Sequence, residues 1–256
     1  MKIKVINPNT TQSMTDSIGE AARSVARSGT EILAVSPSFG PVSIESYYDE
    51  YVAATGVLDE IRKGDAEENI DAYVIACYGD PGLHAARELT DKPVIGIAEA
   101  SLYMASMLAG RFAIVTVIPR IHMMLEEMVR GYGMSEKCPD IYCTPIYVLD
   151  IEEDPISSIE KLRNEVRRAV KEGGAEAVCL GCAGFAAFAQ ELEDELNVPV
   201  LDGVVCATKQ AEVMVELGKK TSKRMTYRTP EPKKFVGMFN HFSTDGSADA
   251  KPQAAE

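Results

Sequence analysis

Short apolar runs alternate with stretches of helical periodicity along this chain. Lys2-Ile3-Lys4-Val5-Ile6 is β-rich, and Asn7-Pro8-Asn9-Thr10-Thr11 breaks the run while offering helix-capping side chains. Met14, Ile18, Ala21 and Val25 then fall on one face of a helix predicted to stop near Gly29. Residues 31–35 predict a second strand, residues 43 to about 62 a helix, and residues 71–76 a third strand that runs into Cys77. Further on, Ser157-Ser158-Ile159-Glu160 has the form of a capping box. Ile159, Leu162, Val166 and Val170 follow at helical spacing until Gly173-Gly174. Strands alternating with helices of this length imply the α/β class, with parallel sheets flanked by helices on both faces.

The pattern also repeats within the chain. Ala72-Tyr73-Val74-Ile75-Ala76-Cys77-Tyr78-Gly79 leads to a helix and then to Lys92-Pro93-Val94-Ile95-Gly96. Ala177-Val178-Cys179-Leu180-Gly181-Cys182-Ala183-Gly184 leads to a helix and then to Val198-Pro199-Val200-Leu201-Asp202-Gly203. Cys77 to Pro93 is 16 residues and Cys182 to Pro199 is 17. Val5-Ile6-Asn7-Pro8 against Val117-Ile118-Pro119 is a looser third pair. Two βαβ units resemble each other in any case, but a cysteine at the same strand end in both is more specific. The expectation is two pseudo-symmetric lobes facing each other across a cleft. Residues 1–97 with about 205–225 would form the first lobe and residues 98–204 the second. The stretch 226–256, rich in Pro, Gly, Ser, Ala and Lys, loses the rhythm and is expected to be a flexible or loosely docked tail in which Phe235, Met238, Phe239 and Phe242 can dock locally.

Composition narrows the function. A chain of 256 residues, 46% hydrophobic and 25% charged, can bury a sizeable core. A formal charge of −13 argues against nucleic acid, whose phosphates need clustered Lys and Arg. No stretch reaches the roughly 18 apolar residues of a membrane span, and the first residues have no signal-peptide pattern. A cytoplasmic, reducing location is therefore expected, in which the six cysteines do not form a disulfide framework.

Ligands of open α/β sheets bind beyond the carboxyl ends of the strands, where Cys77 and Cys182 stand. Each is followed by small residues and a helix start, with Asp80 the expected N-cap of the first helix and Pro81 its first residue. N–H groups at helix starts favour thiolate, so both thiols are expected to have lowered pKa values, and glycines let the backbone cradle an oxyanion. Cys138, Cys143, Cys179 and Cys206 suit the ordinary role of a buried cysteine, which is to fill space. Cys179-Leu180-Gly181-Cys182 is formally a C-x-x-C, but Cys179 lies inside a strand run rather than at a helix start, against a redox or zinc role. His84, His122 and His241 lack metal-binding spacing, and neither G-x-G-x-x-G nor a P-loop is present, so no metal or cofactor is expected. Two facing thiols without a cofactor suit inversion of a carbon acid. A thiolate takes the proton from one face, a thiol returns one to the other, and N–H groups of the following loops hold the enolate oxygen.

Several motifs, taken together and in order, resemble the hydantoin racemases of the Asp/Glu/hydantoin racemase superfamily. They are Ile6-Asn7-Pro8-Asn9-Thr10-Thr11, Gly40-Pro41-Val42-Ser43-Ile44-Glu45, Ala76-Cys77-Tyr78-Gly79-Asp80-Pro81-Gly82-Leu83, Pro93-Val94-Ile95-Gly96-Ile97-Ala98-Glu99-Ala100, Leu180-Gly181-Cys182-Ala183-Gly184 and Asp202-Gly203-Val204. The likeness runs from residue 1 to about residue 223. It implies an oligomer of two-lobed subunits, with Cys77 and Cys182 as the acid–base pair. Asn7, Asn9, Ser43, Thr116 and the N–H groups of Tyr78, Gly79, Ala183 and Gly184 would line the pocket. Tyr78 stands where the family often has Phe and Phe185 where Met is common, which leaves the substrate's side chain open. The implied activity is racemisation at C5 of a 5-substituted hydantoin, allantoin included, with a small neutral cyclic ureide as the ligand. An aspartate- or glutamate-type racemase, a maleate-type isomerase that uses one thiolate as nucleophile, and a non-catalytic α/β binding protein are the competing readings.

Overall fold

The computed structural model describes residues 1–67 and 69–246. Its first half runs β1 (Lys2–Ile6), α1 (Gln12–Val25), β2 (Glu31–Val35), α2 (Tyr47–Glu67), β3 (Ala72–Ile75), α3 (Leu83–Leu89), β4 (Val94–Gly96) and α4 (Ile97–Leu108). The second runs β5 (Phe112–Thr116), α5 (His122–Gly131), β6 (Asp140–Cys143), α6 (Asp150–Glu153), α7 (Pro155–Lys171), β7 (Ala177–Gly181), α8 (Ala189–Leu196), β8 (Val200–Asp202) and α9 (Gly203–Glu216), with a 3-10 segment over Ala183–Phe188. The described strands form two parallel four-stranded sheets, ordered β2-β1-β3-β4 and β6-β5-β7-β8. The orders superimpose strand for strand. β3 and β7, which lead into Cys77 and Cys182, hold equivalent places beside β1 and β5. The architecture is two α/β lobes, as the repeated strand–cysteine pattern implies.

Parallel strands buried on both faces read as continuous apolar runs, and the structure shows where each face goes. Ala72 and Val74 of β3 turn into a large core with Ile3, Val5, Ile97, Val115 and Leu180 that joins the two sheets. Tyr73 and Ile75 turn the other way, onto Val57 and Ile61 of α2. Helix α9 returns from the second sheet to pack on α1, α4 and β3.

Some element starts differ from the sequence expectation, each for a local reason. Helix α1 buries Met14, Ile18 and Ala22, while Ala21 is only half-buried. Helix α2 begins at residue 47 rather than 43. Thr10 N–H and Thr11 Oγ1 hold the carbonyls of Pro41 (2.9 Å) and Val42 (2.7 Å), keeping that loop extended. Ser46 and Asp49 then cap the helix reciprocally, with Asp49 N–H donating to Ser46 Oγ at 3.2 Å and Ser46 Oγ to Asp49 Oδ2 at 2.8 Å. Helix α7 begins at Pro155, not at the Ser157–Glu160 box, because Asp154 accepts Ser157 N–H at 3.1 Å and Pro155 is preset for a first turn.

Of the stretch read as a tail, residues 247–256 lie outside the described residues. Before them, two 3-10 turns, Met225–Tyr227 and Gly237–Phe242, lie against α2 and α3. Tyr227 OH meets His84 Nδ1 at 2.9 Å, and the Phe242 ring lies under the Arg62 guanidinium. Phe235, Phe239 and Phe242 border an apolar groove with Leu58 and Leu89, whereas Met238 is exposed.

Candidate active site

The carboxyl ends of β1, β3, β5 and β7 converge on one narrow cleft whose walls include Cys77 and Cys182. The two thiols sit in matching turns. The carbonyl of Cys77 accepts Asp80 N–H at 3.0 Å and that of Cys182 accepts Phe185 N–H at 3.1 Å. The thiol of each accepts the N–H two residues on, from Gly79 and Gly184.

Burial decides the proton affinity of both thiols, against the sequence expectation. It pushes Cys77 above the ordinary thiol range, the Gly79 N–H pulls back, and the nearby Glu50, Cys182 and Asp80 push further. Burial raises Cys182 to about 11, opposed by the Gly184 N–H and assisted by Glu45. The expected lowering by helix ends is outweighed because one S–H-facing N–H offsets less than the loss of water around a thiolate. Neither turn opens directly into an α-helix: α3 starts only at Leu83, and Cys182 enters a 3-10 segment.

Asp80 also departs from expectation. It does not cap α3, whose N-cap is Gly82. Its carboxylate reaches across to α4 and accepts Ala98 N–H at 3.0 Å, Glu99 N–H at 2.9 Å and Tyr132 OH at 2.7 Å. This contact leaves no room for a Cβ at Gly96. Burial raises Asp80 to about 6, against these three donors. Asp80 thereby ties the Cys77 turn to α4 and to the end of α5. Asp80→Ala would orphan three donors and is expected to cost about 2–3 kcal/mol, read as a lower urea midpoint. An unchanged midpoint would show the tie to be unimportant.

Of the residues implicated by sequence, Asn7, Asn9, Tyr78, Gly79 and Ala183 line the cleft with the two cysteines. Asn7 and Asn9 also knit the β1–α1 turn: Asn7 Nδ2 donates to Asn9 Oδ1 (2.9 Å) and Thr15 Oγ1 (3.0 Å), and Asn9 Oδ1 accepts Thr11 N–H (2.9 Å). The Tyr78 hydroxyl points away, to Ser101 Oγ at 2.9 Å. Three other residues lie off the cleft wall. Thr116 is fully buried, its hydroxyl held by the Gly181 carbonyl at 2.7 Å, and Val117 takes the wall position. Gly184 is not a wall residue, and its N–H serves Cys182. Ser43 lies off the wall, where Ile44 takes its place once Thr11 has fixed the Val42 carbonyl.

The remaining wall was not legible in sequence. Ile121, Met124 and Leu125 from α5 and its approach, with Val148, make it largely apolar, and Glu50 from α2 is its one acidic residue. Nothing in the sequence separates Glu50 from its acidic neighbours Asp49 and Glu45. Among the described residues no Lys or Arg lines the cleft; Arg120 borders a separate cavity with Glu45 and Asp49. Cys179 turns from the cleft into the core, its thiol 3.7 Å from the Ser101 carbonyl, so the C-x-x-C is split between two environments. Among the described residues no group of three or more His, Cys, Asp or Glu side chains could hold a metal ion, and no helix is long and apolar enough to cross a membrane.

The chain is similar to known proteins over nearly its whole length. A family model described as Asp/Glu/Hydantoin racemase matches residues 3–211. A hydantoin racemase of Pseudomonas sp. (strain NS671) is 62% identical over 242 residues, covering 94% of this chain and 97% of that one. A hydantoin racemase of Paenarthrobacter aurescens is 44% identical, covering 92% and 100%. Among solved structures, an allantoin racemase from Klebsiella pneumoniae superposes with a TM-score of 0.93 at 48% identity, covering 95% of this chain and 99% of that one. The chain belongs to the Asp/Glu/hydantoin racemase family and is an isomerase of the racemase type.

Proposed function

We propose that this racemase inverts C5 of 5-substituted hydantoins, allantoin included, with Cys77 and Cys182 as its two bases and no cofactor. The observation that carries the reading is the pair of thiols in matching turns on one cleft. The names of the similar racemases support the substrate class.

Burial raises both thiols, and nearby charge raises them further, Glu50 and Asp80 at Cys77 and Glu45 at Cys182. In the reactive form one of the two is the thiolate and the other the thiol. Cys182 takes the C5 proton of one enantiomer, and the electron pair left on carbon delocalises onto the adjacent carbonyl oxygen as an enolate. Backbone N–H groups of the two turns stabilise that oxygen, and Cys77 returns a proton to the opposite face. The other enantiomer needs the reverse assignment. The cyclic diamide both acidifies its C–H and satisfies a wall of backbone donors and apolar side chains without a cationic clamp.

The test is polarimetry of the purified protein with enantiopure allantoin or a 5-alkylhydantoin, with no cofactor added. The rotation should decay to zero without change in the mass of the compound. Rotation that persists with every hydantoin would refute the assignment.

A further inference from the structure

A two-base racemase leaves its thiols in exchanged protonation states after each inversion. Turning over the same enantiomer again requires Cys77 and Cys182 to regain their starting protons. Both thiols are only partly exposed, on the wall of one narrow cleft, so that exchange is helped by a proton carrier beside them. Glu50 is placed to be one. Its carboxylate stands on the cleft wall with Cys77, packed so closely on Gly79 that a Cβ there would lie 3.2 Å from Oε2. The same side chain and Gly79 also border a second cavity, which opens to solvent between α2, α3 and α5. Glu50 is thus shared by the thiol's compartment and the open one. Among the described residues its carboxylate has neither a hydrogen-bond donor nor a cation, so no partner fixes its proton.

We infer that Glu50 is the proton relay between Cys77 and solvent, resetting that thiol between turnovers. The inference rests on the two-thiol reading above. The step is a proton transfer alone. An inversion that takes its proton from Cys77 leaves a thiolate there, and neutral Glu50 gives that thiolate its proton, leaving Cys77 S–H and a carboxylate. The carboxylate takes a proton back from water in the outer cavity, and the reverse sequence removes a proton from Cys77 when the other enantiomer is turned over.

Electrostatics favour transfer from Glu50 to a Cys77 thiolate. Burial, with the charge of Asp80, raises Glu50 to about 7, and the Glu50 charge in turn raises Cys77. Two like charges in one buried site disfavour double ionisation, so a proton leaving one group is held by the other. The titratable groups facing Glu50 are Tyr47 and Tyr51 on its own helix, and Cys77 and Asp80 on the turn. His84 on α3, Glu127 on α5 and Tyr132 after it complete the surroundings.

The experiment compares the full-length enzyme with Glu50→Gln and Glu50→Asp. Glutamine is nearly isosteric, and no hydrogen bond of the fold is lost. For an enantiopure 5-alkylhydantoin, Glu50→Gln should lower kcat about tenfold or more with KM nearly unchanged, and Glu50→Asp should recover part of kcat. In a Cys182→Ser background, the pH midpoint for alkylation of Cys77, read by peptide mass, should fall by about one pH unit when Glu50 becomes Gln, because a neighbouring negative charge is gone. Unchanged kcat with an unchanged alkylation midpoint would overturn the relay. So would a raised KM with intact kcat, which would assign Glu50 to holding substrate. Failure of the two-thiol reading shows separately, as near-normal racemisation by Cys77→Ser or Cys182→Ser.

Discussion

Replacing either Cys77 or Cys182 by serine is expected to abolish net inversion while leaving the fold intact, a loss on the order of a thousandfold or more. A serine hydroxyl is too weak an acid to become the required base in a buried site, and an inversion needs a proton-bearing group on each face. The thiols contribute nothing to the fold that serine cannot supply. Each accepts a single backbone N–H, from Gly79 or Gly184, and both residues are only partly buried on the cleft wall. The half-reaction should survive on one side. In deuterated water, each variant should still wash deuterium into C5 of one enantiomer, and the two variants should prefer opposite enantiomers. Near-normal racemisation by either variant would remove the mechanism. Cys138→Ser and Cys206→Ser, which lie in the core, should alter stability more than rate.

The second large effect concerns charge on the substrate. At pH 8, turnover of free glutamate or aspartate is expected to fall about a thousandfold or more below that of a neutral hydantoin, compared as kcat/KM. Among the described residues the cleft wall carries no Lys or Arg, and Arg120 borders a different cavity together with Glu45 and Asp49. Glu50, raised to about 7, is mostly ionised at pH 8. A substrate carboxylate about 4 Å from it is repelled by about 4 kcal/mol at an effective dielectric near 20, which is about a thousandfold. The overall charge of −13 adds little, because salt screens it beyond about 8 Å. On the proposed reading a neutral ring would pair the backbone donors of the two turns and leave no ion unmatched, and discrimination is strong where the wrong ligand leaves buried polar groups unpaired. Glutamate or aspartate turning over faster than every hydantoin tested would show the cleft to be read wrongly, even with both cysteines confirmed.

The class of fold and the place of the thiols were legible because both depend on local signals. Two-residue and 3.6-residue periods mark which stretches pair and which coil, and Gly, Pro and Asn mark where they stop. The equivalence of Cys77 and Cys182 follows from the same signals, since each ends an apolar strand of one βαβ unit, and the matched sheet orders carry that equivalence into space. Capping was less legible because competing caps lie within a few residues of each other. Asp154 before Pro155 prevails over Ser157, and Asp80 abandons its own helix for α4.

Only the tertiary structure decided which neighbours of the thiols face the cleft and what the site does to a proton. Thr116, Ser43 and Gly184 are adjacent in sequence to wall residues, yet each is diverted by one hydrogen bond or one turn of the chain, and Val117 and Ile44 face the cleft instead. The rise in both thiol pKa values, where helix ends alone would lower them, depends on how much water the opposite lobe excludes. Glu50 matters because α2 lays it on Gly79, a contact between residues far apart in the chain. Local sequence fixes backbone conformation because its causes act over a few residues. Solvent exclusion and the meeting of charges are sums over the whole packed molecule, so they become definite only when the lobes close on one another.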